Sequence, residues 1–132
     1  MRMVWSYREK AFECFTIQIA KHRLLHRTDV EFLDTTVKSG DKVFAPSTEL
    51  LWAYKCGHLT EAEYVERFYR LCRQRFRRDP EPWLRLIRKG RVALACYCRD
   101  GEFCHRHLLV DILEKICRSE GIAFYYGGEI TC

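Results

Sequence analysis

The chain has 132 residues, room for one compact domain. Its 48% hydrophobic, 31% charged and 14% aromatic content suits a domain that buries a core, and excludes disordered, collagenous and low-complexity classes. Lys and Arg outnumber Asp and Glu by 23 to 18; the resulting net charge of +5 favours anionic partners but is far below that of a histone-like protein. No apolar stretch approaches the roughly 20 residues needed to span a bilayer. Met1 to Tyr7 lacks the long apolar core of a secretory signal. The expectation is a cytoplasmic protein with no membrane partner.

Met3 to Tyr7 reads as a first strand. Ala11 to Ala20 is ambiguous: its β-branched and aromatic content favours strand, while Phe12, Phe15 and Ile19 also fit a helical stripe. Lys21 to Arg27 is a basic connection or a short turn of helix. Val30 to Val37 reads as a strand that turns polar at its C-terminal end, and Lys38 to Lys42 is a turn-rich loop. Pro46-Ser47 introduces a helix through about Cys56, with Gly57 after it. Thr60-Glu61-Ala62-Glu63 is a capping box, and its helix runs to about Arg78. Asp79-Pro80 starts another short helix, with Pro80 at its first position, and Gly90 ends it.

Arg91 to Cys98 is almost continuously apolar and suits a central strand covered on both faces. Arg99 to Glu102 is a tight loop. From Phe103 or Cys104 to about Glu120 the pattern is helical, with Leu109, Ile112 and Ile116 on one stripe, and Gly121 ends it. Ile122 to Tyr126 is a last strand, after which Gly127-Gly128 starts a tail. Alternating strands and helices predict a single α/β domain over residues 1–132: a small, largely parallel sheet flanked by helices in a Rossmann-like, three-layer arrangement.

Eight cysteines is a high count. Without a secretory signal, reduced thiols are expected rather than disulfides. Cys14, Cys56, Cys72 and Cys117 lie in apolar patterns, where thiols pack as small hydrophobes. Cys96, Cys98 and Cys104 instead cluster with His105 and His107.

The strongest candidate site is therefore Cys98 to Arg106: a buried strand, a short glycine-containing loop and a helix start. In open parallel sheets, ligands bind beyond the carboxyl ends of the strands, and helix N-termini favour anions. There Arg106 would hold a phosphate. Cys98 or Cys104 would be a nucleophile of lowered pKa, and His105 a proton donor or acceptor. Five residues separate cysteine from arginine in the cysteine phosphatases, but here that offset from Cys98 carries Cys104, so phosphatase or rhodanese chemistry is only weakly suggested. Cys96, Cys98, Cys104 and either His105 or His107 are zinc-type ligands, but the usual pair-plus-pair spacing is missing. No metal and no cofactor are assigned.

A second feature is the polar strand end at Asp34 to Lys42. Asp34 would orient His105 or a substrate hydroxyl, while Thr36, Lys38 and Ser39 would contact an anion. A third lies on the Thr60 to Arg78 helix. Val65, Phe68, Tyr69, Cys72 and Phe76 form its apolar stripe, and Arg67, Arg70, Arg73, Arg77 and Arg78 form a basic arc fit to track a phosphate backbone, with Arg70, Arg73 and Arg77 the expected contacts. A solvated helix face is the ordinary explanation of such an arc.

Leu94-Ala95-Cys96-Tyr97-Cys98, followed by Phe103-Cys104-His105-Arg106-His107-Leu108-Leu109, resembles the signature of domain of unknown function 488, the YeaO-like group. Leu33 to Gly40 resembles the family's Asp-plus-Thr strand end, and Phe44 to Ser47 the segment after it. The aromatic helix around Glu63, Tyr64, Phe68 and Tyr69 also fits. The resemblance covers roughly Val30 to Gly121. It implies a small α/β fold with Cys104, His105 and Arg106 at a shared site, and no established activity. Ala11 to Arg27 is more compressed than the helical hairpin the family usually has there.

Three functions compete. The first is a nucleotide- or nucleic-acid-directed protein, a hydrolase or transferase, with Asp34, Thr36, Lys38, Cys98, Cys104, His105 and Arg106 around a phosphate-bearing small molecule or nucleic acid. The second is a non-catalytic phage or bacterial accessory factor that sequesters a nucleotide or blocks a partner. The third is a zinc-stabilised DNA-binding domain.

Overall fold

A computed structural model describes residues 11–98 and 103–131. The expected strand at Met3 to Tyr7 and the loop at Arg99 to Glu102 lie outside the described residues. Strand β1 is Ala11–Gln18, which settles the ambiguous segment, and a 3-10 segment follows at Ile19–Leu25. The helical stripe fails there because β1 is central in the sheet: Phe12, Cys14 and Thr16 are buried on one face, Ile17 on the other.

Strand β2 is Glu31–Asp34, shorter than the sequence suggests, since the chain leaves the ladder once Asp34 turns back on its own loop. Helices α1 (Thr48–Lys55), α2 (Glu61–Arg78) and α3 (Glu81–Arg88) come next, then β3 (Arg91–Cys96). Helix α4 is His105–Glu120, closed by Gly121 at φ 72°, and β4 is Ala123–Ile130.

The local start and stop signals operate as expected. Ser47 Oγ accepts from the Leu50 amide at the start of α1. The capping box forms in full, with Glu63 N donating to Thr60 Oγ1 at 3.1 Å and Thr60 N donating to Glu63 Oε1 at 2.8 Å. Pro80 sits just before α3 rather than in it, and Asp79 Oδ1 accepts from the Glu81 amide.

All four strands run parallel in the order β2-β3-β1-β4. The step from β1 to β2 crosses the sheet in one direction, whereas β2 to β3 and β3 to β4 go in the other. With crossovers of one hand, the first connection must cover the opposite face from the other two. The core divides accordingly. The larger cluster joins Phe12, Cys14, Val92 and Leu94 to side chains of all four α-helices. The smaller one joins Ile17, Ala93 and Ala95 to Leu25 of the 3-10 segment.

Two expectations are corrected. Cys56 is exposed, because α1 ends at Lys55 and turns it outward, whereas Cys14, Cys72 and Cys117 are buried as expected. Gly127-Gly128 does not begin a tail, since β4 continues to Ile130. The register on β1 steps from Cys14↔Tyr126 to Phe15↔Gly128, so Gly127 is the extra residue of a bulge. A Cβ on Gly127 would come within 2.2 Å of the Phe15 ring, and Gly128 has φ 97°. Glycine is thus needed for close approach at one position and for backbone conformation at the next.

Thr60→Ala removes one half of the capping box. It should lower stability by about 1 kcal/mol, read as a shift in the urea midpoint with the slope unchanged.

Candidate functional site at the carboxyl edge of the sheet

The opposed crossovers place β1 and β3 side by side with connections leaving to opposite faces. That junction is the switch point of an open parallel sheet, where a crevice forms beyond the strand ends. Most of the side chains singled out by sequence meet around this edge. Along β3, Val92, Leu94 and Cys96 share the helix-covered face, and Leu33 pairs with Leu94 on β2, so Thr35 follows onto that face. Asp34 and Thr36 have the opposite parity.

Beneath the edge lies a sealed layer. Cys104, His105 and Arg106 open α4 and are 4%, 8% and 0% exposed. The expectation of an outward-facing cup of these three is therefore corrected: β3 and α4 pack closely enough to close over them. His105 Nε2 lies 2.8 Å from the Thr35 carbonyl oxygen and 3.0 Å from Thr35 Oγ1. A carbonyl only accepts, so Nε2 carries the hydrogen and Nδ1 holds the lone pair. Nδ1 is 3.8 Å from Cys104 Sγ. Thr35, not Asp34, orients the imidazole. Burial pushes His105 from an ordinary 6.5 down to about 4, so the ring is neutral near pH 7.

Arg106 faces inward. Its Nε and Nη2 donate to the two carboxylate oxygens of Glu129 at 3.3 and 3.0 Å, and Nη1 donates to Cys96 Sγ at 2.8 Å and the Cys98 carbonyl at 3.1 Å. Its expected anion is thus supplied by the chain itself. Partial burial raises the Glu129 carboxyl, but hydrogen bonds from Arg106 and Thr16 outweigh that and hold it below the usual range. The bulge in β4 makes this pair possible, because it sets Glu129 opposite Thr16. Tyr126, opposite Cys14, also reaches Thr16, its hydroxyl 2.8 Å from Thr16 Oγ1. Sequence reading missed Thr35 and Glu129. Strand alternation from Leu33 points to the first; the second was hidden behind two glycines that read as an ending.

Above this layer is a rim. Asp34 Oδ1 accepts from Thr36 N at 2.9 Å and Thr36 Oγ1 at 2.7 Å, and Oδ2 accepts from Ser39 Oγ at 2.6 Å. Partial burial raises the Asp34 carboxyl, and the Ser39 and Thr36 hydrogen bonds overcome this and keep it ionised. A Cβ on Gly40 would lie 2.4 Å from the Asp34 carbonyl oxygen, so this loop closes only on glycine. Ser39 Oγ is 3.4 Å from the Tyr97 hydroxyl, and Lys38 is exposed on the same loop. Cys98 lies past the end of β3 and joins Tyr54, Tyr64, Phe103, Cys104 and His105 around a cavity of about 90 Å³.

Where reduced thiols were expected, Cys96 and Cys104 bring their sulfurs within disulfide-bonding contact, with Cα atoms 7.9 Å apart. With His105 they form a group whose donor atoms lie within 4.8 Å of one another, the one set with metal-ligand chemistry found among the described residues.

The basic arc is divided. Tyr64, Phe68 and Cys72 are the buried residues of α2, whereas Val65 and Tyr69 are only half-buried. Arg70, Arg73 and Arg77 are exposed, and Arg70 pairs with Glu66 at 3.0 Å. Arg70 lines a surface groove with Arg67, Ser47 and Gln74, whereas Arg73 lines a different one with Tyr69 and Lys115. Arg75 is structural, donating to the carbonyls of Val43 and Ala45. No helix among the described residues is long and apolar enough to cross a membrane.

A family model described as the active DUF488-N3 subclade matches residues 6–116. No curated protein and no solved structure matches the chain.

Two outcomes follow from the sealed layer. The unfolded chain binds a proton below about 6.5 that the folded His105, at about 4, does not. Stability should therefore fall as pH drops through that interval, by about 2 kcal/mol between pH 7 and 5. His105→Gln should flatten the slope in thermal melts across this range, which lies above the carboxylates. Arg106→Ala leaves the partly buried Glu129 without its partner and should cost about 2 kcal/mol in chemical denaturation. Arg106→Ala with Glu129→Ala should cost less than the two single changes added together.

Proposed function

Starting from the chain's membership of the DUF488 family, we propose that it is a nucleotide- or nucleic-acid-directed hydrolase or transferase working at the carboxyl edge of its sheet. The observation that carries this reading is the Asp34 cradle: an ionised carboxylate fixed by Thr36 and Ser39, beside the Tyr97 hydroxyl at the strand ends where ligands of this fold class bind. The description of the matched subclade as active supports chemistry rather than binding alone.

Roles follow from position. Lys38, exposed on the Asp34 loop, takes the phosphate contact that Arg106 cannot make while paired with Glu129. Asp34 accepts a hydrogen bond from a substrate hydroxyl or stabilises positive charge as it develops, the task of a carboxylate held ionised. Cys98, past the strand end on the small aromatic cavity, is the nucleophile if a covalent step occurs. Cys104 and His105 line the floor of that cavity. Arg106 is a positioning residue. Arg70, Arg73 and Arg77, exposed on α2 but divided between grooves, give a longer strand separate phosphate contacts away from the rim.

The test uses a panel of nucleoside mono-, di- and triphosphates and short single-stranded DNA and RNA oligomers, with binding and product formation followed separately. Asp34→Asn should lower turnover by about 100-fold or more with binding changed only a few-fold, and Lys38→Ala should weaken binding. Binding without turnover would move the protein to the non-catalytic class. No binding to any member of the panel would overturn the proposal.

A further inference from the structure

Cys96 and Cys104 raise a question that the rim chemistry leaves untouched. Cys96 ends a central strand, and Cys104 immediately precedes α4, where its side chain makes no capping hydrogen bond. Cys96 is held in the strand ladder and Cys104 in extended backbone at the helix start, and the two sulfurs converge in the interior. Their Cα atoms are 7.9 Å apart, beyond the roughly 4.4–6.8 Å that a disulfide spans. So wide a base is poorly set for a bond between the two sulfurs, which have only to part for a shared third atom to enter.

The third donor is already aimed. The Thr35 carbonyl takes the hydrogen of His105 Nε2, which leaves the Nδ1 lone pair on the side of Cys104 Sγ, 3.8 Å away. A tetrahedral zinc ion sets a thiolate sulfur and an imidazole nitrogen about 3.6 Å apart, from bonds near 2.3 and 2.0 Å. A ligating histidine that gives its other N–H to a backbone carbonyl is the usual outer-shell arrangement of such sites.

Charge points the same way. Two thiolates could not stay ionised in this dry interior without a cation, and Arg106 is already balanced by Glu129. A divalent ion bound by two thiolates and a neutral imidazole brings the set to zero. Arg106 Nη1, 2.8 Å from Cys96 Sγ, then acts as a hydrogen-bond donor to a ligating sulfur.

We propose that Cys96, Cys104 and His105 form a binding site for a borderline-soft divalent metal ion, zinc above all, with a fourth position opening on the cavity lined by Tyr54, Tyr64, Cys98 and Phe103. The site holds the end of β3 to the start of α4. Its open position is where water or a donor atom of the substrate binds. Three protein ligands with one vacant position is the pattern of catalytic rather than purely structural zinc. Neither the spacing nor the burial depends on which phosphate-bearing molecule occupies the rim.

The experiment uses the full chain, reduced and stripped with a chelator, then titrated with Zn²⁺ or Co²⁺ without substrate. Uptake of about one ion per chain is expected by elemental analysis, with cobalt giving thiolate charge-transfer absorption and the strong ligand-field bands of a four-coordinate ion. Cys104→Ser and His105→Gln should weaken cobalt binding at least 10-fold, while Cys56→Ser, on the exposed cysteine, leaves it unchanged. The wild-type titration decides the matter even if a variant fails to fold. Absence of uptake by the reduced wild type would overturn the proposal. So would recovery of Cys96 and Cys104 as a disulfide in metal-free protein handled without oxidant, or equal loss of the cobalt spectrum in Cys56→Ser. Metal uptake is read without a nucleotide, so its failure is distinct from failure of the nucleotide reading.

Discussion

A guanidinium sealed from water has to find its hydrogen-bond acceptors inside the protein, and Arg106 organises the carboxyl edge of the sheet on that condition. Its partners come from three places: Glu129 on β4, the Cys96 sulfur on β3 and the Cys98 carbonyl just beyond it. One side chain thereby ties the start of α4 to two strands that are not neighbours, with β1 between them. Glu129 reaches the guanidinium only because the chain gains a residue at Gly127, and Gly127 is required because Phe15 leaves no room for a Cβ. The bulge, the ion pair and the helix start form a single arrangement.

This arrangement separates the edge into two levels. Below are the sulfurs of Cys96 and Cys104, the imidazole of His105 and the Arg106–Glu129 pair, nearly all of them out of contact with water. Above is the Asp34 loop, folded around its own carboxylate by Thr36, Ser39 and Gly40. Thr35 connects the levels. Its backbone amide and hydroxyl bond to the Ala95 carbonyl, and its own carbonyl fixes the His105 tautomer, while its neighbours on either side serve the rim. Strand alternation alone sends consecutive residues to the two levels.

Topology explains why the levels meet at this edge. Three of the strands send their chains into crossovers there, and the reversal between β1 and β3 makes that junction the switch point of the sheet. The helices of the second and third crossovers share a face, so α2 brings Phe68 against the His105 ring at 5.7 Å and α1 brings Tyr54 against Phe103 at 5.5 Å. The aromatic surround of the cavity thus comes from segments distant in sequence, delivered together by the hand of the crossovers.

The amino-acid sequence by itself determined the α/β class, the ends of α1, α2 and α4, and the grouping of Cys96, Cys98, Cys104, His105 and Arg106. Each of these rests on local physics: caps, glycine stops, hydrophobic period, and neighbours close along the chain. It also marked Asp34 and Thr36 as a polar strand end. Only the tertiary structure decided which way those groups face. Whether an arginine meets solvent or a partly buried glutamate depends on a partner 23 positions away and on a bulge that shifts it into register. Whether His105 answers to Asp34 or Thr35 depends on which face of β2 packs against α4. Pairing across a sheet and the sealing of an interior are non-local, and no short-range pattern records them.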